Sequence, residues 1–353
     1  MKKELFDLLD DIERRIDPDV EEDFLSRWRD FLYDRFDGDI FAARRRSFSS
    51  PAVSVGNVMI NDAFDDIGLM LYSQLAGVSA ALDPKTASRP ASLNLSIRAN
   101  YGTGILSSMF GAELFMMPYE SNTLPTTKPL KGEDAMKEML DRGVPDLRGG
   151  LGGRVLDFGE YAAEIFSHYP KISKYVTVYH PDLQGPLDIC DLLFGERMFY
   201  AVCDDPDLLH GVLSLITDTY AAFMDEWYKI FPRRTDMNPH WANTFHRGAL
   251  MIRNDSAVNL SPEAYREFSV PYDTLLFSRF GGGAVHFCGR GDHFISDLCS
   301  VPGLYAINLT QPHLNDMEKI YKNTADRGIK LIAFDVNRAR RDAARGFNHC
   351  VAV

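Results

Sequence analysis

The pair His286 and Cys288 is the part of the sequence best suited to chemistry. One residue separates the two, within residues 284–288, which have the apolar character of a short buried strand. Because alternate side chains of a strand point to the same face, the imidazole and the thiol are expected to lie side by side. Imidazole nitrogen and cysteine sulfur are ligands that zinc prefers in proteins. The spacing therefore predicts part of a metal site.

A third ligand is needed to complete such a site, and Cys350 near the end of the sequence is the candidate. A zinc ion held by His286, Cys288 and Cys350 keeps a fourth position for a substrate atom. Zinc in such a site can hold a thiol substrate as its thiolate near neutral pH, which makes the sulfur a nucleophile. The alternative is a buried histidine hydrogen-bonded in the core beside two inert cysteines, and the spacing alone leaves both interpretations open.

Two further side chains follow predicted strands. Asp255 comes after the strand at residues 249–253, and His180 ends the strand at residues 175–180. A carboxylate or an imidazole in such a place can orient a ligand, bind substrate or act in acid/base catalysis. Both residues are therefore candidate catalytic residues, and the alternatives are a turn aspartate and a structural histidine.

The elements that must position these residues alternate between strands and helices. Strands are expected at residues 52–60, 93–97, 175–180, 249–253, 284–288, 305–309, 330–334 and 349–353. This alternation implies parallel pairing, and the sequence lacks the glycine fingerprint of a dinucleotide-binding sheet. We therefore predict a (β/α)8 TIM barrel, in which the carboxyl ends of the strands carry the functional residues.

Residues 1–48 are predicted to form a helical N-terminal extension ahead of a barrel domain at residues 49–353. Apolar residues recur at helical spacing in two runs separated by Pro18, namely Leu5, Leu8, Leu9, Ile12 and Ile16, then Phe24, Trp28, Phe31, Leu32 and Phe36. The extension is expected either to cap the barrel or to serve in a homodimer.

Composition excludes several classes of function. The chain has 353 residues, 45% of them hydrophobic and 25% charged, as in ordinary globular proteins. A formal net charge of −12 without a basic stripe argues against nucleic acid as a partner. Apolar runs fall short of the roughly 18 residues of a membrane span, and the acidic N-terminus does not fit a signal peptide, so we expect a cytoplasmic protein with no membrane partner. The five scattered cysteines are expected to be thiols or thiolates.

Segments on both sides of the His-Cys pair carry a family resemblance. They are Gly185-Pro186-Leu187-Asp188, Asn254-Asp255-Ser256, Leu260-Ser261-Pro262-Glu263-Ala264-Tyr265 and Val285-His286-Phe287-Cys288-Gly289. Together they resemble the uroporphyrinogen decarboxylase superfamily, which also contains zinc-dependent corrinoid and cobalamin-independent methyltransferases. The arginine-rich N-terminal signature of the decarboxylase branch is absent, because Arg44 to Arg46 are followed by Ser-Phe-Ser-Ser. The chain is thus most similar to the methyltransferase branch of the coenzyme M type.

That branch binds zinc with a His-x-Cys pair and a cysteine near the C-terminus, which His286, Cys288 and Cys350 match. The resemblance implies that a small thiol on zinc takes a methyl group from a methylated corrinoid protein, cobalamin or a similar donor. Asp255 is implied to orient groups or relay a proton. The sequence around the last cysteine, Asn348-His349-Cys350-Val351, departs from the Gly-Cys-Gly turn of many such enzymes.

Two other functions stay open at this point. One is a metal-free carboxy-lyase that acts on a carboxylated substrate through Asp255 and nearby arginines. The other is a non-catalytic barrel that binds a corrinoid or a tetrapyrrole, or serves as a partner subunit.

Overall fold

The computed structural model describes residues 2–346 and 351–353. The α-helices are α1 (Lys2–Arg15), α2 (Pro18–Leu32), α3 (Ile60–Asp65), α4 (Ile67–Ala81), α5 (Ile105–Met109), α6 (Ala135–Arg142), α7 (Gly152–Ser167), α8 (Pro170–Tyr175), α9 (Pro186–Phe194), α10 (Glu196–Asp204), α11 (Pro206–Ile230), α12 (Pro262–Phe268), α13 (Val270–Phe280), α14 (Ile295–Leu298), α15 (Met317–Asn323) and α16 (Val336–Ala344). Single-turn 3-10 helices cover Pro84–Thr86, Tyr119–Ser121, Ser256–Asn259, Pro312–Leu314 and Ala325–Arg327.

The strands are short. They are β1 (Ile40–Phe41), β2 (Ser96–Ile97), β3 (Leu114–Phe115), β4 (Thr126–Thr127), β5 (Thr177–Val178), β6 (Asn238–His240), β7 (Thr244–His246), β8 (Leu250–Arg253), β9 (Gly283–Phe287), β10 (Leu304–Leu309), β11 (Lys330–Leu331) and β12 (Val351–Ala352). Among the described helices, none is both long enough and apolar enough to cross a membrane.

Six strands form one parallel sheet in the order β1-β12-β11-β10-β9-β8. A separate parallel pair joins β2 to β5, and two hairpins pair β3 with β4 and β6 with β7. The prediction of a mixed α/β fold with parallel pairing is confirmed. The arrangement is consistent with a TIM-barrel-like fold, but the described strands form no closed ring, because β2 and β5 pair only with each other.

The first predicted strand is wrong. Residues 52–60, all of which the structure describes, contain no strand, and α3 begins at the last of them. Val53 and Val55 are instead partly buried against the main hydrophobic core without backbone pairing. The sheet takes its first strand from β1, which pairs in parallel with β12.

The helices of the N-terminal extension form as predicted. The apolar side of α1 packs along α4 and is fully buried at Leu9 and Ile12. The aromatic residues of α2 enter a second core with Phe41 of β1 and Phe245 of β7. The extension is therefore part of the packed interior, while the domain boundary at residue 48 and the homodimer stay predictions.

The two faces of the sheet are packed differently. One face, with Leu250, Val285 and Ile307, belongs to the large core shared with the helices. The other face carries Met251 and the small residues Ala284, Ala306 and Ala352, which pack with the aromatic residues of the second core: Phe24, Trp28, Phe31, Phe41 and Phe245. Alanines leave room for these rings. Further along β8, β9 and β10, the same face carries polar residues.

Candidate metal centre

The sheet places three polar side chains side by side at the carboxyl ends of its central strands. In the strand register, His286 of β9 is the partner of Arg253 on β8 and of Asn308 on β10. All three are buried. Cys288 follows two residues after His286, so it continues the same face, as the sequence predicts. The neighbours that surround the imidazole are thus fixed by strand pairing.

One group of three possible metal ligands is present among the described residues: Asp255, His286 and Cys288. Their ligand atoms all lie within 4.8 Å of one another. Cys288 Sγ lies 3.4 Å from His286 Nε2, and Asp255 Oδ1 lies 3.5 Å from the same nitrogen. A carboxylate, an imidazole and a thiol at these distances suit a transition-metal ion such as zinc.

Hydrogen bonds decide which imidazole nitrogen is available. Asn308 Nδ2 donates to the carbonyl oxygen of Ile332 at 2.8 Å, which turns Asn308 Oδ1 towards His286. His286 Nδ1 lies 2.6 Å from that oxygen and therefore carries the hydrogen. Its Nε2 keeps a lone pair that points towards Cys288 and Asp255. This arrangement, with the second nitrogen donating to a neighbouring acceptor, is the usual one for a metal-binding histidine.

Electrostatics favour the neutral form of His286. Burial lowers the pKa of the imidazole below its ordinary value, against the opposing effect of the nearby Asp255 carboxylate. Arg253 lowers the pKa of His286 further. A neutral imidazole is the form that binds a metal ion, so this environment suits a ligand.

The Cys288 thiol is partly buried and is held in its protonated form. Burial raises its pKa, and the charge of Asp255 raises it further. Thr310 Oγ1 lies 3.2 Å from the sulfur, and this hydrogen bond lowers the pKa again. Because a metal ion binds the thiolate, occupation of the site would release a proton from Cys288.

The turn that carries Asp255 is pinned by another carboxylate. Asp188, near the start of α9, accepts hydrogen bonds from the backbone N–H groups of Asp255 at 2.9 Å and Ser256 at 2.8 Å. Asp255 Oδ1 in turn accepts a hydrogen bond from the backbone N–H of Cys288 at 2.6 Å. Burial, followed by the charge of Asp255, raises the pKa of Asp188 to about 7. Asp255 therefore has a set position, while 41% of its side chain stays exposed.

Charged and aromatic side chains border the metal ligands on the β8 side. Arg253 and Arg98 both pair with Asp182, at 2.7 and 2.9 Å. Trp241 contacts both Arg253 and His286, and its ring centroid lies 5.1 Å from the imidazole centroid. Arg98, Asp182 and Trp241 are not among the site residues predicted from the sequence. The rule that functional residues follow strands could have selected Arg98 and Asp182, whereas no sequence signal points to Trp241.

His180 lies apart from the three possible ligands and is surrounded by backbone. Its Nε2 accepts a hydrogen bond from the backbone N–H of Met251 at 2.8 Å, and its Nδ1 donates to the carbonyl of Pro181 at 2.7 Å. Burial lowers the pKa of His180 to about 3. The imidazole thus connects the end of β5 to β8, which have no ladder between them. A catalytic role for His180 stays a prediction.

The structure brings Asp255 beside His286 and Cys288, whereas Cys350 lies outside the described residues. The third ligand predicted from the sequence therefore stays a prediction. Within the described part of the chain, Asp255 occupies the place beside the His-Cys pair.

Comparison with known proteins yields a likeness of fold. No protein-family model and no curated protein matches the sequence. Among solved structures, a methyltransferase from Methanosarcina mazei matches with a TM-score of 0.59 and 15% sequence identity. The match covers 93% of this chain and 90% of the methyltransferase. The two proteins share their fold over almost their whole lengths.

Proposed function

We propose that this chain is a zinc-dependent methyltransferase with a TIM-barrel-like fold. It would move a methyl group from a methylated corrinoid, free or protein-bound, or a similar donor, to a small thiol. The observation that carries the proposal is the convergence of His286 Nε2, Cys288 Sγ and the Asp255 carboxylate at the strand ends. The fold shared with a methyltransferase supports the reaction class.

His286 and Cys288 would hold the ion, together with Asp255 or Cys350. Zinc, when bound there, supplies the Lewis acidity that keeps a thiol substrate deprotonated near neutral pH. In the transfer, the acceptor sulfur forms a bond to the methyl carbon while the bond from that carbon to the donor breaks. The donor keeps the electron pair of the broken bond.

The neighbouring side chains have separate tasks in this proposal. Asn308 fixes the imidazole tautomer, which leaves Nε2 of His286 as the ligand atom. If Cys350 is the third ligand, the partly exposed Asp255 can accept the proton lost by the thiol substrate and pass it to solvent. Thr310 donates to the Cys288 sulfur and stabilises its thiolate.

Metal analysis tests the first half of the proposal. Protein purified without added zinc is expected to contain stoichiometric zinc, and Cys288→Ser is expected to lose most of it. Cys203→Ser serves as the matched control, since Cys203 is an exposed cysteine of α10. Wild-type protein without bound transition metal, even after equilibration with zinc, would overturn the metal-dependent function.

A transfer assay tests the second half. Methylcobalamin and mercaptoethanol are incubated with the protein without oxygen, and the loss of the methylcobalamin spectrum is followed. Wild type is expected to accelerate this loss relative to Cys288→Ser and to buffer. Equal rates for all three samples would refute methyl transfer from cobalamin to a simple thiol, although metal binding could still hold.

A carboxy-lyase is the second candidate, and the pairing of Arg98 and Arg253 with one aspartate favours it. Two guanidinium groups paired with the single carboxylate of Asp182 leave a net positive charge beside the three possible metal ligands. This charge suits the binding of a substrate carboxylate. This function is supported if the protein is free of metal and releases carbon dioxide from carboxylated substrates. It is refuted if metal removal abolishes turnover of such a substrate.

A further inference from the structure

A hairpin ends beside the metal ligands with a tryptophan in an unusual backbone conformation. Strands β6 and β7 pair in antiparallel fashion, with His240 opposite Thr244, and Trp241 begins the turn that joins them. Trp241 has a φ of 52°, in the left-handed region that large side chains rarely adopt. Such conformations persist only where the surroundings impose them, and they are common at functional sites.

Asn94 is the residue that imposes this conformation. Its side-chain amide donates to the carbonyl oxygens of Trp241 and Thr244, both at 2.9 Å. Its backbone N–H donates to the carbonyl of Ala242 at 2.7 Å. Asn94 is itself only 2% exposed. The turn is therefore held at three carbonyl groups by one buried residue that lies 147 positions earlier in the chain than Trp241.

The indole of Trp241 contacts the imidazole of His286 edge to face. The two ring centroids lie 5.1 Å apart and the ring planes meet at 75°. On another side, the guanidinium carbon of Arg253 lies 5.0 Å from the centroid of the indole. The tryptophan thus contacts both the imidazole and this cation, which are themselves register partners on neighbouring strands.

From this contact we infer that Trp241, held by Asn94, is a positioning residue for His286. A single hydrogen bond from Nδ1 to Asn308 sets the tautomer, but it allows the ring to swing about that bond. The indole packs against the imidazole and restricts this movement, so that Nε2 stays directed at Cys288 Sγ. The inference concerns the same site as the proposed metal-dependent function and rests on it for its consequence in catalysis.

Cobalt binding tests the role of Trp241. Co²⁺ is titrated into wild type, Trp241→Ala, Trp241→Phe and Asn94→Ala, and the thiolate-to-cobalt absorption is recorded. Trp241→Ala and Asn94→Ala are expected to lower the affinity about tenfold, the usual effect of removing a group that orients a metal ligand. Trp241→Phe keeps an aromatic edge and should remain within about threefold of wild type. The matched control is Asn243→Ala, which changes an exposed residue of the same turn.

The comparison of Co²⁺ binding by wild type and Trp241→Ala decides whether Trp241 positions His286. Equal affinity and equal absorption for wild type and Trp241→Ala would overturn the inference. Thermal unfolding of each variant separates a local effect from a general loss of structure, since only a local effect leaves the unfolding temperature of Trp241→Ala near that of Trp241→Phe.

A second measurement needs no metal. In protein labelled with ¹⁵N at histidine, long-range proton–nitrogen spectra report the tautomer of each imidazole, and His286→Gln assigns the signal. Metal-free wild type is expected to show one sharp His286 signal from the form protonated at Nδ1. In Trp241→Ala the ring should swing about the hydrogen bond to Asn308, so this signal should broaden or shift.

A broadened signal in wild type, or an unchanged signal in Trp241→Ala, would overturn the inference whether or not metal binds. A fixed tautomer in a wild-type protein that binds no metal would refute the proposed function and leave the positioning role intact.

Discussion

Two histidines at two strand ends occupy environments that look alike and differ in one respect. His180 follows β5 and His286 lies near the end of β9, and both are buried, at 5% and 7% exposure. Burial also lowers the pKa of each ring. His180, however, uses both nitrogens for backbone hydrogen bonds, whereas His286 donates from Nδ1 to the Asn308 oxygen and directs Nε2 at the Cys288 sulfur, 3.4 Å away.

A strand-end position and burial therefore do not by themselves make a histidine a metal ligand. A neutral imidazole has one donor and one acceptor nitrogen, and a ligand must keep the acceptor free. The acceptor of His180 is taken by the N–H of Met251 on β8, the edge strand of the six-stranded sheet. The acceptor nitrogen of His286, Nε2, faces the Cys288 thiol and the Asp255 carboxylate, which can themselves bind a metal ion.

The largest expected effect is on metal affinity in His286→Ala. Loss of a directly bound ligand should weaken zinc binding by more than about 100-fold, since changes in the groups that merely orient ligands cost about 10 to 100-fold. Zinc affinity is measured by competition with a chromogenic chelator. His168→Ala is the control, because His168 is exposed at the end of α7. If His286→Ala bound zinc with the affinity of wild type, His286 would not be a metal ligand and would not differ from His180 in this respect.

His180→Ala should show the opposite behaviour. Removing this ring leaves the buried N–H of Met251 without an acceptor and leaves a cavity, so the free energy of unfolding should fall by about 2 to 4 kcal/mol. Zinc affinity should stay within about threefold of wild type. Urea unfolding and the same chelator competition measure the two quantities. Full stability combined with lost turnover would instead assign His180 the catalytic role that the sequence predicts.

Zinc affinity should depend on pH through Cys288 rather than through His286. The pKa of His286 is lowered, so its ring is already neutral above about pH 7, whereas the raised pKa of Cys288 keeps the thiol protonated. With Asp255 as the third ligand, binding should therefore release one proton, and affinity should rise about tenfold per pH unit from about pH 7 to about pH 8.5. Cys288→Ser should lose this slope. A flat profile in wild type would show that the thiol is not a ligand.

The smallest of the four effects is expected at Asn308. Asn308→Leu removes the acceptor of the Nδ1 hydrogen bond and should weaken zinc binding about tenfold. Asn308→Asp keeps an acceptor at the same place and should bind more tightly than the leucine variant. Isothermal titration of both variants gives the affinities. If the two variants bind zinc equally, the hydrogen bond to Asn308 does not distinguish His286 from His180.

Local signals in the sequence predicted several elements well. Helix α11 begins at a local signal, because Asp205 caps the first turn and Pro206 can occupy it without losing a hydrogen bond. The strand β9 was also predicted, from a short apolar run next to glycines. The signals for these elements are local, since the residues that specify each element are neighbours in the chain.

Other elements depended on partners far away in the sequence. Residues 52–60 have the alternation of a strand, yet packing against the core satisfies their apolar side chains without any ladder. β1 has only two residues, too few for a period to be recognised, and it exists because β12 supplies its hydrogen bonds. A strand is defined by its neighbour, so sequence alone could not decide between these two segments.

The candidate metal centre also combines features set by the local sequence with features set by tertiary packing. The sequence by itself determined that His286 and Cys288 share one face, because the alternation of a strand is a property of the local backbone. Only the tertiary structure decided that Asp255 lies beside them, that Asn308 leaves Nε2 of His286 available, and that Trp241 contacts its ring. These contacts join residues from separate strands and turns, whose distances are set by strand register and packing rather than by spacing along the chain.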